Sequence, residues 1–239
     1  MALAVALHQY NTLSDDDVRP SREKVLGRYR HLRAISRQHH NEMFKLISGD
    51  ALQRQARRLG LMEGKTIVLD DLEAMNYVYD LAIHTAEPGR SRAVDRYARS
   101  ARLVPGSDEA RVLEAMQAAR FSILCIERRH EAAGLIATDL LRGGEVWLVD
   151  IGLESSMPDG SMMATRLYTA ERFSMAAGVN VPFGLGLLED ISAEMPQRLR
   201  ENSPAALSDN RHFAETIYRV ALAGGIMNRV AYQDLPDDV

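Results

Sequence analysis

The fold is decided by residues 121–150, which read FSILCIERRHEAAGLIATDLLRGGEVWLVD. The segment opens with a run in which apolar and β-branched residues occupy both alternating faces, as in a strand that is covered on two sides. Two further apolar runs follow, and Arg142-Gly143-Gly144 separates them with consecutive glycines that allow a tight turn. We therefore expect three successive strands, of which the third returns antiparallel to the second.

Two more candidate strands, Met162–Tyr168 and Phe173–Ala177, lie between turn signals such as Pro158-Asp159-Gly160. Five short strands within about sixty residues suit a small closed barrel, because closure removes unpaired strand edges. A curled sheet fits the same pattern, and an open sheet roofed by helices is the alternative. We expect Val181–Gly184 to be the linker that ends the strand block.

Helical patterns flank the strand block on both sides. The first helix is predicted from Pro20 or Ser21 to about Ser48, and an acid-x-x-Glu cap at Asp70 and Glu73 predicts a later one. On the C-terminal side, Ser203-Pro204 predicts the start of a long helix that reaches about Tyr232. The sequence thus predicts an α+β protein with a helical N-terminal half, a small antiparallel β-barrel or curled sheet, and C-terminal helices.

Four segments follow from this pattern. We expect a flexible N-terminus over residues 1–18 and a helical domain over residues 19–119. A small antiparallel β domain then covers residues 120–184, and a C-terminal helical segment covers residues 185–239.

Composition excludes several classes of protein. Hydrophobic residues make up 46% and charged residues 26% of the 239 residues, which is ordinary for a globular protein. No apolar run approaches the roughly 18 to 20 residues of a membrane span, and the apolar stretch Met1–Leu7 is too short for a secretory signal. Cys125 is the only cysteine, so an internal disulfide and a multi-cysteine zinc site are excluded. We expect a cytoplasmic protein with no membrane contact.

Charge is distributed unevenly along the chain. Between Arg19 and Gly60 there are eleven Lys or Arg and three acidic residues, a local charge of +8 within a chain of net charge −4. The remaining residues therefore carry −12, so that a basic helical arm accompanies an acidic body. A contact between the basic arm and the acidic body would pair these opposite charges.

Asp80 and His84 are the candidates for acid–base catalysis. They lie four residues apart on a predicted helix, so both side chains share one face, and a carboxylate in that position could hold the imidazole in one tautomer. Such pairs also stabilise helices without any catalytic role. No third partner is readable from the sequence.

Asp139 and Asp150 are the candidates for a metal site, because acidic residues at strand ends could converge on a divalent cation. Acids at turns also form local hydrogen bonds with the backbone, and the calcium-loop spacing is absent. The chain has no Walker loop, dinucleotide fingerprint, nucleophile elbow or zinc-protease helix. We therefore expect no cofactor.

A group of arginines on the basic arm is the candidate partner-binding surface. Its members are Arg30, Arg33, Arg37, Arg54, Arg57 and Arg58. The first three recur at i, i+3 and i+7, which places them in one stripe of a helix. Such a stripe suits a protein partner, a second copy of the chain or the acidic body, and it could also neutralise the phosphates of a nucleic acid.

The strand block also resembles a group of uncharacterised bacterial proteins with a helical front half and a small barrel-like block. The resemblance rests on Arg129-His130-Glu131 with Gly134, on Leu148-Val149-Asp150 before Gly152, and on Arg166-Leu167. It covers roughly residues 57–184 and implies a fold and a bacterial cytoplasmic setting. It implies no activity.

Three functional hypotheses follow. The first is a non-catalytic interaction or regulatory module that binds a protein partner or forms a homodimer through the first helix. The second is a nucleic-acid-associated protein that uses the basic arm. The third is a hydrolase-type or metal-dependent enzyme with a carboxylate and histidine site.

Overall fold

The computed structural model describes residues 20–69 and 74–225, and the helices within them lie on both sides of the strand block in the chain. Their bounds are α1 Arg22–Lys45, α2 Gly49–Arg58, α3 Ala74–His84, α4 Ala93–Ser100, α5 Asp108–Gln117, α6 Ile151–Ser156, α7 Leu185–Glu194, α8 Gln197–Arg200, α9 Pro204–Ser208 and α10 Arg211–Ala223.

The strands form one two-stranded hairpin and one five-stranded sheet. Their bounds are β1 Met62–Glu63, β2 Thr66–Ile67, β3 Arg120–Arg129, β4 Leu135–Asp139, β5 Glu145–Leu148, β6 Met162–Thr169 and β7 Ser174–Phe183. Helices at both ends of the chain around a sheet confirm the α+β class.

The five longer strands close on themselves in the order β3-β4-β5-β7-β6. Four of the pairings are antiparallel, whereas β5 and β7 run parallel through the single registered pair Leu148 and Ser174. The sheet is therefore mixed, although the sequence predicted an antiparallel one. Parallel neighbours need a crossover connection, and the chain between β5 and β7 supplies it through α6 and β6.

Alternate residues of the strands fill the inside of the sheet with a compact apolar cluster. Its fully or nearly fully buried members are Leu124, Ile126, Leu135, Ala137, Val146, Leu148, Met163 and Leu167. The opposite face of β3 and β6 carries Phe121, Ile123 and Ala164, which pack against helices instead. The apolar residues on both faces of β3 are explained by this two-sided burial.

Two groups of helices cover the outside of the sheet. One cluster joins α2, α3, α7 and α10 to the sheet, with Tyr77, Ile191 and Tyr218 among its buried side chains. The other joins α1 and α5 to the opposite region, with Leu32 and Met116 buried. The N-terminal and C-terminal helices thus share the first cluster, and the four-segment division made from the sequence stays a prediction.

Serine caps explain where several helices begin. The hydroxyls of Ser21, Ser48, Ser107 and Ser203 each accept a hydrogen bond from a backbone N–H in the first turn of α1, α2, α5 and α9. Such caps satisfy one of the donors that a helix leaves unpaired at its N-terminus. The cap predicted at Asp70 and Glu73, like Met1–Val18 and Tyr232, lies outside the described residues.

Three local differences separate the sequence-based expectation from the structure. The predicted linker is the end of β7, where Pro182 pairs with Met163 and Phe183 is buried. The region after Asp150 forms the short helix α6, because the Asp150 carboxylate accepts from the Leu153 N–H and caps it. The long C-terminal helix is divided into α9 and α10, and Asn210 caps the second of them.

Among residues 20–69 and 74–225, no helix is both long enough and apolar enough to cross a membrane.

Gly134 is required by a close approach of two backbone segments. Its φ is +84°, and a Cβ built on it would contact the Leu148 carbonyl oxygen and lie 3.0 Å from the Val149 Cα. Gly143 has a similar φ of +76°, but a Cβ there meets nothing within 4 Å. Comparing an alanine substitution at each glycine therefore distinguishes the free-energy cost of a positive φ from the cost of the steric clash with β5.

We expect Gly134→Ala to destabilise the protein more than Gly143→Ala. Both substitutions carry the penalty of a left-handed L-residue, roughly 1–2 kcal/mol, and only the first also displaces β5. Urea denaturation of the two variants should show a midpoint loss that is clearly larger for Gly134→Ala. Equal losses would contradict the close approach of Gly134 to Leu148.

Candidate functional site

Asp80 is held by a buried ion pair between α3 and the outer face of β6. Arg166 Nε lies 2.8 Å from Asp80 Oδ1, and Arg166 Nη2 lies 3.0 Å from Asp80 Oδ2. The Asp80 side chain is 3% exposed and the Arg166 side chain is 6% exposed. The Arg166 guanidinium also lies over the Phe121 ring, 5.6 Å from its centroid. A bidentate contact of this kind fixes both the position and the orientation of α3 against the sheet.

Tyr218 extends this pair to the C-terminal helix α10. Its hydroxyl donates to Asp80 Oδ2 at 3.0 Å, and burial together with the Asp80 charge raises the pKa of Tyr218 well above its ordinary value. Burial alone would raise the pKa of Asp80, but the Arg166 guanidinium outweighs it and holds that pKa below the ordinary value. The cluster is therefore an ionised carboxylate with a phenol and a guanidinium as its donors.

His84 lies one helical turn beyond Asp80, in surroundings that differ from those of the carboxylate. The residue is 6% exposed, and neither Nδ1 nor Nε2 has a hydrogen-bond partner among the described residues. Burial, and then the positive charge of Arg166, lower the pKa of His84 well below 6.5. The imidazole is therefore neutral near pH 7, and the hydrogen bonds of Asp80 go to Arg166 and Tyr218 instead.

A cavity of about 250 Å³ lies between α1, α3 and β7, and His84 lines it. Its other polar lining residues are Arg33, Ser36, Arg37, His40, Asn41, Asn76, Tyr79 and Asp80. Pockets for drug-sized ligands have volumes of roughly 300–1,000 Å³, so this one suits a smaller molecule.

Two arginines from α1 reach this cavity with different degrees of freedom. Arg33 donates to the Ala176 carbonyl oxygen of β7, which ties α1 to the sheet. Arg37 is exposed and forms no hydrogen bond or ion pair with any described residue. With Arg166 behind the cavity and Asp80 as the one acid of the group, the local net charge is +2.

His40 and Ser36 lie one turn apart on α1 in the same cavity. Burial, and then the charge of Arg33, lower the pKa of His40 to about 4. The Ser36 hydroxyl accepts from the Tyr168 hydroxyl at 2.8 Å and lies 3.5 Å from His40 Nδ1. The cavity thus contains two neutral imidazoles beside two guanidinium groups.

The candidate metal ligands, Asp139 and Asp150, accept hydrogen bonds from protein groups near the turns in which they lie. Asp139 accepts from Ser122 Oγ at 2.9 Å and from the N–H groups of Leu141 and Arg142, so it closes the turn after β4. Asp150 caps α6. Neither shares a hydrogen bond or ion pair with Asp80 or His84, and residues 20–69 and 74–225 contain no group of three or more His, Cys, Asp or Glu arranged for a metal.

The six arginines of the predicted partner surface differ in their surroundings. Arg58 is paired with Glu87, and Arg33 is tied to β7. The other four, Arg30, Arg37, Arg54 and Arg57, are exposed. Their role toward a partner stays a prediction.

The basic arm does contact the acidic body. Arg22 pairs with Glu154, and Arg28 pairs with both Asp108 and Glu171. These contacts hold α1 against α5, α6 and the loop between β6 and β7. Some of the basic residues of the arm therefore form ion pairs with acidic residues of the same chain.

Sequence reasoning found Asp80 and His84 but missed the residues that surround them. Arg166 and Tyr218 are 86 and 138 residues away from Asp80, and no local pattern joins them. One signal was available: Arg166 is a charged residue in the middle of an otherwise apolar strand, and such a residue needs a buried partner.

These features define an α+β protein in which helices cover a small closed sheet and enclose a polar cavity at its outer face. A sequence model for a family of unknown function, DUF7986, matches residues 23–227, and the chain belongs to that family. This match confirms the resemblance to an uncharacterised family. No curated protein and no solved structure matches the chain.

Removing the charge of Asp80 is expected to destabilise the protein strongly. Asp80→Asn leaves the Arg166 guanidinium buried without a counter-charge, and breaking such a pair costs about 3–5 kcal/mol. Glu42→Gln is the control, because Glu42 pairs with Lys45 at the surface and exposed pairs contribute about 1 kcal/mol or less. Chemical denaturation should separate the two variants, and similar losses would contradict a structural role for the Asp80 pair.

His84 is expected to make stability depend on pH. The unfolded chain protonates this imidazole near pH 6.5, whereas the folded protein does so only at a much lower pH. Stability is therefore highest above about pH 6.5 and falls as pH decreases. His84→Leu should reduce the slope of unfolding free energy between pH 6.5 and 5 by up to about 1.4 kcal/mol per pH unit. Parallel curves for the two proteins would refute this assignment.

Proposed function

We propose that this protein is a ligand-binding regulatory module whose cavity between α1, α3 and β7 receives a small anion. The observation that carries the proposal is His84, a buried side chain at the cavity with both ring nitrogens unpartnered among the described residues.

An unsatisfied buried polar group is costly, at about 1–3 kcal/mol, and native proteins retain few of them. The cost is removed when a ligand or an ordered water supplies the missing hydrogen bonds. A cavity of about 250 Å³ beside His84 has room for such a ligand. The imidazole is then a recognition group rather than a packing defect.

The sign of the ligand's charge follows from the surrounding groups. Arg37 has no hydrogen bond or ion pair with any described residue, and Arg33 uses one of its donors on Ala176. The single carboxylate at the cavity, Asp80, is already neutralised by Arg166. A negatively charged ligand gains charge-assisted hydrogen bonds here, and a cation is repelled.

Binding is favoured over acid–base catalysis by the hydrogen bonds of Asp80. A carboxylate that orients a catalytic histidine accepts from its ring N–H. Here the Asp80 oxygens accept from Arg166 and Tyr218, so the pair cannot act together in that way without rearrangement.

We place this module in the bacterial cytoplasm. The single cysteine, half-buried in β3 and free, agrees with a reducing compartment, where structural disulfides are rare. A protein partner, or a second copy of the chain, would receive the regulatory signal through the exposed arginines Arg30, Arg37, Arg54 and Arg57 of the basic arm.

Anion binding should depend on Arg37. We expect Arg37→Glu to weaken the affinity for small oxyanions such as phosphate and sulfate at least about tenfold, because a charge-assisted hydrogen bond contributes about 1.5–3 kcal/mol. Arg30→Glu is the matched control, since Arg30 is exposed on the same helix and does not line the cavity. Isothermal titration calorimetry measures both.

Two results would overturn the proposal. One is that no small oxyanion or carboxylate binds the unmodified protein. The other is that Arg30→Glu and Arg37→Glu weaken binding equally, which would indicate a general surface-charge effect rather than a site.

A further inference from the structure

The cavity offers hydrogen-bond donors and acceptors in an unusual mixture for an anion site. Arginine supplies donors alone, and Arg33 and Arg37 provide them at the cavity. A neutral imidazole supplies one donor and one acceptor, so His84 offers both. The ring nitrogen of His84 that lacks a hydrogen needs a partner with a hydrogen to donate, so a ligand that pairs with it directly must carry such a hydrogen.

Simple anions divide into two groups by this criterion. Sulfate and ionised carboxylates have acceptors and no hydrogen to donate, so they cannot themselves pair with the acceptor nitrogen of His84. Hydrogen phosphate has ionised oxygens that accept from the arginines and a P–OH group that can donate to the imidazole. Its four oxygens can also contact side chains from α1 and α3 at the same time, which the two oxygens of a carboxylate do less well.

We propose that the cavity selects a tetrahedral oxyanion that carries a hydrogen, with inorganic phosphate as the ligand. Arg33 and Arg37 bind its ionised oxygens, and His84 accepts the P–OH hydrogen at one ring nitrogen and donates from the other to an oxygen or to a water. This inference rests on the proposed function, because it names the ligand of the same cavity.

The neutral state of His84 follows from every charged group that faces it. Arg166 from β6 and Arg92, which precedes α4, disfavour a proton on the ring, as does His40 from α1. Asp80 on the same helix favours it, but burial and the cations outweigh this effect and keep the pKa of His84 low. His84 therefore keeps its acceptor in the range of pH 6.5 to 8, in which inorganic phosphate still carries a hydrogen.

Phosphomonoesters test the same requirement for a P–OH hydrogen, because they lose that hydrogen within an accessible range of pH. Their second pKa is about 6, so that above about pH 7 they are mostly dianions without a P–OH hydrogen. We expect a small ester such as glycerol phosphate to bind well at pH 5.5 and poorly at pH 8, after correction for the change in net charge. Arsenate, which has the same protonation pattern as phosphate, should bind like phosphate at both pH values.

Calorimetric titration of the full chain with phosphate, arsenate, sulfate and acetate at pH 7.5 tests the selectivity. We expect phosphate and arsenate to bind at least about tenfold more tightly than sulfate, since one unsatisfied buried acceptor corresponds to about 1.4 kcal/mol or more. His84→Leu should abolish the preference for phosphate over sulfate, and His84→Asn, whose amide has a donor and an acceptor, should retain part of it.

Arg37→Glu is the complementary variant. It should weaken phosphate and sulfate by the same factor, because it changes charge and leaves the acceptor of His84 in place. Thermal unfolding of each variant confirms that it is folded, and Arg30→Glu again serves as the control.

The outcomes separate this inference from the proposed function. Sulfate or acetate binding as tightly as phosphate, with loss on Arg37→Glu, would overturn the selection of a hydrogen-bearing oxyanion and leave the anion-binding module standing. Absence of binding for all four anions would overturn both. An unchanged phosphate preference in His84→Leu and His84→Asn would overturn the role of the imidazole.

Discussion

The buried ion pair between Asp80 and Arg166 is the constraint on which the arrangement of this protein depends. It connects α3 to β6, and through the Tyr218 hydroxyl it also connects both to α10. Two ions removed from water are tolerated when each is fully hydrogen-bonded, and here both carboxylate oxygens have partners. Helices from the two ends of the chain are thereby docked on the same face of the sheet.

The same ion pair explains why the cavity has its particular chemistry. His84 follows Asp80 by one helical turn and so faces the same region, but the carboxylate that would ordinarily orient it is already engaged. Arg166 adds positive charge close by and favours the neutral imidazole. The hydrogen bonds that hold Asp80 in place thus leave the neighbouring imidazole on the same face of α3 without a carboxylate partner, and Arg37 adds positive charge to the cavity.

Much of the fold could be predicted from local pattern. The strand block stands out because apolar residues alternate or run continuously between glycine and proline turns, and Ser21 and Ser203 mark two predicted helix starts. The parallel pairing of β5 with β7 could not be predicted, because it depends on how the sheet closes in three dimensions. The helix α6 was missed since a six-residue turn has little periodicity.

The candidate site was predictable only in part, because some of its residues are brought together by tertiary contacts. Asp80 and His84 share a helix, so their common face is encoded at short range. Arg166, Tyr218 and Arg37 join them through tertiary contacts that span three other elements. Asp139 and Asp150 differ, because each accepts hydrogen bonds from backbone N–H groups two or three residues away, which a position at a turn predicts. Their side-chain partners Ser122 and Tyr29 are distant in the chain and could not be predicted in this way.

The closed sheet has one weakly paired boundary, which lies between β5 and β7. β5 and β7 are joined by the registered pair of Leu148 and Ser174 and by a hydrogen bond from the Val149 N–H to the Ser174 carbonyl oxygen at 3.0 Å, whereas β6 and β7 pair along most of their lengths. Because local opening is easiest where the fewest bonds must break, we expect the closed sheet to open between β5 and β7 before it loses any other pairing. The edges released there are short, which limits the surface on which another chain could add a strand.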